Sequence, residues 1–121
     1  MTHDNILYGL SKKFALRVIR LYSFLCNEKK EFVMSKQIYR SGTSIGANIA
    51  ESINAQSRAD FVNKLSISLK EATETKYWLE LLCDSGNISV KQFDSIVNDL
   101  NVIIGTLVTT IKNTKKNDKN G

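Results

Sequence analysis

Apolar residues recur at three- and four-residue steps along most of the chain, and strand-like alternation is nowhere sustained. Leu7, Leu10, Phe14, Val18, Leu21 and Leu25 predict a first helix over about residues 5–28. A charged connector, NEKKEF, separates it from a second helix over about residues 33–54, with Ile38, Ile45, Ile49 and Ile53 on its inner face. Ser57 followed by Asp60 has the spacing of a capping box and opens a third helix carrying Phe61, Leu65, Leu69, Ala72, Leu79 and Cys83, which Gly86 stops. Ser89 and Gln92 repeat the cap signal. Behind them Phe93, Ile96, Val97, Leu100, Ile103, Ile104, Leu107, Val108 and Ile111 form one narrow stripe, a fourth helix. The final NTKKNDKNG has no apolar residue and predicts a disordered basic tail. Four long helices with short loops predict an all-α, antiparallel up-down four-helix bundle over residues 1–112, with the tail at 113–121.

One stretch breaks the texture of its helix. RSGTSIGANIAES, residues 40–52, is full of small residues, and at 100° per residue Gly42, Gly46 and Ala50 stack along one side of the second helix. A mid-helix glycine costs about 1 kcal/mol relative to alanine, so the expected return is a neighbouring helix packed unusually close. On the other flank of the isoleucines, Ser44, Asn48 and Glu51 form a polar row expected to satisfy itself or a neighbouring helix. The stretch fails as a phosphate-binding loop, because it follows helix rather than strand and no lysine follows Gly46.

Composition narrows the function classes. The chain has 121 residues, 42% of them apolar, no proline and six glycines, which suits one helical core. No run approaches the ~20 apolar residues of a membrane span, and the start lacks the basic-then-apolar order of a secretion signal, so a cytoplasmic protein is expected. Cys26 and Cys83 form no C-x-x-C pair and are expected as reduced packing residues. The sole histidine, His3, lies at the terminus, where it cannot be oriented as a base, and no triad can be assembled. Glu71 and Glu74 lack the Glu-x-x-His partners of a di-iron bundle. No enzyme activity, cofactor or metal is expected.

Arg40, the small-residue run from Ser41 to Ala47, Asn48-Ile49-Ala50-Glu51 and then Ser57-Arg58-Ala59-Asp60-Phe61 stand in an order that resembles a known family. These are the small four-helix-bundle proteins encoded by intervening sequences in bacterial 23S ribosomal RNA genes, and the likeness covers about residues 5–112. Ser52 stands where many relatives carry glycine, which predicts a second helix running about a turn further. Relatives include accessory proteins of diversity-generating retroelements, pentameric barrels with a basic surface that binds RNA and a reverse transcriptase. The resemblance therefore implies a homopentamer and nucleic-acid contact, and no chemistry.

The residues bear on both implications. Ile67, Trp78 and Leu81 project off the core line of the third helix, and a tryptophan there fits a subunit interface. Leu16 and Ile19 lie behind the core row of the first helix and add modest weight. The net charge of +5 is concentrated at the end, where Lys112, Lys115, Lys116 and Lys119 against Asp118 leave +3 in the last ten residues. Yet the first helix has no acid between Asn5 and Asn27 and carries Lys12, Lys13, Arg17 and Arg20. Lys13, Arg17, Arg20, Lys36 and Arg40 are the candidate phosphate contacts, and a symmetric oligomer would repeat them. No RNA-binding module signature is present, and Tyr8, Tyr22, Tyr39 and Tyr77 do not gather into a stacking platform, so sequence-specific reading is not expected. The competing expectation is a scaffold that binds only protein.

Overall fold

The computed structural model describes the backbone of residues 2–120 and the side chains of residues 6–117. It is all-α among the described residues, with α1 (Thr2–Asn27), α2 (Met34–Ile53), α3 (Arg58–Asp84) and α4 (Val90–Asn120). Each helix packs on its neighbours in sequence, and α1 and α4 also meet. Partners descend one helix as they ascend the next: Thr75 bonds Ser41 while Ser68 bonds Ile45 and Lys64 pairs with Glu51. The enclosed core centres on Phe14, Val18, Ile38, Ile45, Leu65, Leu79, Leu100 and Ile103, all essentially without solvent exposure.

The helix ends show why the chain breaks where it does. Ser57 accepts the Asp60 N–H at 3.0 Å, while the Asp60 carboxylate reaches one residue further back than a strict capping box, to the Gln56 N–H. Ser89 and Gln92 form the full reciprocal box, with N–H···O distances of 2.8 and 3.1 Å. Gly86 takes φ +80°, and the N–H groups of Gly86 and Asn87 close on the carbonyls of Cys83 and Leu82. The start of α2 is capped differently. Val33 offers no side-chain cap; instead the Glu31 carboxylate accepts the N–H groups of Val33, Met34 and Ser35 at 3.2, 3.1 and 2.7 Å. Replacing Glu31 by alanine orphans those donors, and a thermal melt should read a loss of about 1 kcal/mol; an unchanged melt would deny the cap its role.

The small residues of α2 let two helices approach it. A Cβ built on Gly42 would stand 2.7 and 2.9 Å from the two methyls of Val18, and one on Gly46 would stand 3.2 Å from the Ser11 hydroxyl. On the α3 side the Thr75 hydroxyl lies 2.9 Å from that of Ser41, and the Ser68 hydroxyl donates to the Ile45 carbonyl. The polar row is satisfied locally, Ser44 and Asn48 by carbonyls one turn back on their own helix and Glu51 by Lys64 of α3.

Several expectations fail in detail. Ile53 and Val108 are 44% and 46% exposed, each lying at the lateral edge of its helix's apolar stripe. Leu82, outside the expected row, is fully buried. α2 ends at Ile53, within a residue of the expected end at Asn54, with the Ser52 hydroxyl folded back onto the Ile49 carbonyl. Helix α4 extends into the basic tail, as far as Asn120. Once residues 93–111 are packed, each added residue gains a hydrogen bond without a new nucleation cost. Threonine hydroxyls at 106, 110 and 114 each bond the carbonyl one turn back.

Candidate nucleic-acid interface

Lys13, Arg17 and Arg20 share one face of α1, and Arg17 and Arg20 reach the seam with α4. Lys13 and Arg20 are exposed there, and Arg17 lies between them, half-buried. Arg17 is already engaged: its guanidinium donates to the Asp99 carboxylate at 2.8 Å, to the Ser95 carbonyl at 3.1 Å and to the Ser95 hydroxyl at 2.9 Å. Surface pairs of this kind contribute at most about 1 kcal/mol, but this one fixes the guanidinium and offsets its charge. Lys13, Arg20 and Lys36 have no ion pair or hydrogen bond through their side chains among the described residues.

The five candidates do not form one patch. Lys36 lies at the α1/α2 seam beside Tyr22 and Tyr39, whose rings meet edge to face at 5.0 Å. Arg40 faces α3, where its guanidinium donates to Glu71 at 3.1 Å and to Glu74. Sequence spacing placed Arg40 with the basic residues because it cannot show which acids a neighbouring helix presents. Of the remaining tyrosines, Tyr8 lies near the Lys12 ammonium and Tyr77 packs edge to face on Trp78, so the four are spread over three sides of the molecule.

Glu74 also joins the two sets of candidate residues, because the Trp78 indole N–H donates to it at 2.9 Å. Trp78 packs partly against the core, whereas Ile67 and Leu81 are half-buried outside that cluster. The indole N–H bond, then the Arg40 contact, hold the Glu74 carboxyl below the usual range, and the same carboxylate raises the Arg40 pKa. A carboxyl with a depressed folded pKa stabilises the fold above its unfolded value and loses that contribution as pH falls through the folded one. Glu74→Gln should therefore melt below the parent at pH 7, with the gap closing between about pH 5 and pH 3 in thermal melts. A gap unchanged over that interval would remove the charge from the account.

Both cysteines are free, Cys26 with its sulfur 3.8 Å from the Ser35 hydroxyl. The Tyr22 hydroxyl pKa is raised, chiefly by its hydrogen bond with Cys26. Among the described residues no group of three His, Cys, Asp or Glu side chains is placed to hold a metal ion, and no helix is long and apolar enough to cross a membrane. The side chains of His3, Asp118 and Lys119 lie outside the described residues. One cation that sequence reasoning missed is Lys91, in the first turn of α4, which lines the same cleft as Arg17 and Arg20. Its only sequence signal is a position just inside the Ser89 cap.

Four helices with charged side chains arranged along their seams define a small all-α protein. Residues 3–109 match the 23S rRNA-intervening sequence protein family, and the chain belongs to that family. Its fold is similar to the crystal structure of a protein of unknown function from the S23 ribosomal protein family of Bacteroides thetaiotaomicron VPI-5482. The two share 59% sequence identity and a TM-score of 0.90 over 91% of this chain and 98% of that one. No curated protein matches the chain significantly.

Proposed function

We propose that this chain is a non-enzymatic, antiparallel up-down four-helix bundle that works in the cytoplasm as a homo-oligomer and associates with RNA or another nucleic acid through its basic surface. The observation that carries the reading is the α1 edge: Lys13 and Arg20 are exposed and have no internal partner, on a helix without an acidic residue from Asn5 to Asn27. Lys36 adds a third free cation, while Arg17 and Arg40 contribute less because acids of α4 and α3 already offset them. Phosphate contact of this kind requires no base reading.

The family likeness supports a pentamer, and Ile67, Leu81 and Trp78 are the proposed interface. Ile67 and Leu81 are the cleaner probes, since Trp78 also packs on the core. Light scattering should give the mass of an oligomer, reduced by Leu81→Glu; a monomer at micromolar concentration would remove the assembly from the proposal. Fluorescence anisotropy with labelled single-stranded RNA at low salt tests the nucleic-acid half. Absence of binding there would favour a protein-only scaffold, for which exposed Leu16 and Ile19 offer apolar contacts.

A further inference from the structure

The α1/α4 seam opens into a cleft of about 470 Å³, within the size range of small-molecule sites. Its floor is apolar, made by Leu21 and Phe24 of α1 with Ile88 and Ile96 from the other side. Its walls hold Arg17, Arg20 and Lys91 and no carboxylate. Arg17 is fixed by Asp99 and Ser95, but Arg20 and Lys91, on different helices, have no ion pair or side-chain hydrogen bond among the described residues. Like charges facing one cleft raise each other's free energy unless an anion lies between them. The positive end of α4, which begins at Val90, adds to the same field.

An apolar floor beneath unpartnered cations recognises an anion that carries a flat or apolar body. Gln92 refines the choice: its side-chain oxygen is occupied by the Ser89 N–H, which leaves the amide N–H groups to donate to acceptors such as those on a base edge. We propose that the α1/α4 cleft holds a nucleotide, its base on the Leu21, Phe24, Ile88 and Ile96 floor and its phosphate between Arg20 and Lys91. As a nucleotide of a strand, this occupant rests on the nucleic-acid reading above; as a free nucleotide it stands alone. A base in a stacked duplex cannot reach the floor, so the cleft selects single strands.

Methyl NMR separates the cases, using UMP and a single-stranded oligouridine as probes and Ile49 and Ile103, buried away from the cleft lining, as internal references. The expected result is movement of the Ile88 and Ile96 methyls with both probes while the references stay fixed. Lys91→Glu should weaken oligouridine binding about tenfold, the size of one lost charge-assisted contact. Lys91 is exposed, so the variant should fold as the parent does. Oligouridine that binds without moving Ile88 and Ile96, or that ignores Lys91→Glu, would overturn the cleft while leaving the basic-surface reading intact. UMP that moves the two methyls when no RNA binds would retain the cleft and overturn that reading. No movement with either probe would overturn the cleft outright.

Discussion

A Gly42→Leu variant is expected to melt well below the parent chain. Even a single Cβ at this position would stand 2.7 and 2.9 Å from the methyls of Val18, distances at which something must shift. Val18 has no exposed surface and cannot swing aside, so α1 and α2 must separate. Overpacking of this kind costs about 1–3 kcal/mol, partly offset by the better helix propensity of leucine. For a chain of this size, each kcal/mol corresponds to roughly 3–6 °C in melting temperature. Val18→Ala in the same chain should restore part of the loss, which a general helix defect would not allow. Gly105→Ala is the counter-case: nothing lies within 4 Å of its added Cβ, so it should gain up to about 1 kcal/mol by propensity alone. A Gly42→Leu melt equal to the parent's would refute the close approach.

The second large effect concerns charge. Lys13→Glu with Arg20→Glu should lower the affinity for single-stranded RNA by about a hundredfold at low salt, since it removes two unpaired cations and adds two repulsive charges. Arg40→Gln should do far less, because Glu71 and Glu74 already offset that guanidinium. Arg17→Glu is a poor probe, as it would also place a carboxylate against Asp99. Anisotropy titrations of the double variant and Arg40→Gln check the order; Arg40→Gln weakening RNA as much as the double variant would move the site to the α2/α3 seam.

These residues also mark how far the sequence could be read. Features fixed within a few positions were legible: the Ser57 and Ser89 caps, the Gly86 stop, and the apolar rows of α1 and, Val108 apart, of α4, since each depends on local backbone geometry. The small residues of α2 signalled a close approach without showing that Val18 and Ser11 lie against Gly42 and Gly46, a fact set by the pairing of two helices. Partners across the chain were invisible for the same reason. Arg17 and Arg40 counted as free cations until Asp99, Glu71 and Glu74 were placed beside them. Glu31 read as one charge in a connector because its work as a cap depends on the turn that brings it onto three N–H groups. Lys91 had only its place just inside the Ser89 cap to mark it until α4 was set against α1.

The most direct test of the nucleic-acid reading is the salt dependence of single-stranded RNA binding to the unaltered protein. Each phosphate contact to a single strand contributes about −0.7 to the slope of log K against log salt, so Lys13 and Arg20 together should give about −1.4 per chain engaged, and more where the strand also reaches Lys36. The expected result is measurable binding at low salt that falls with at least that slope. No binding at low salt, or an affinity indifferent to salt, would contradict the account.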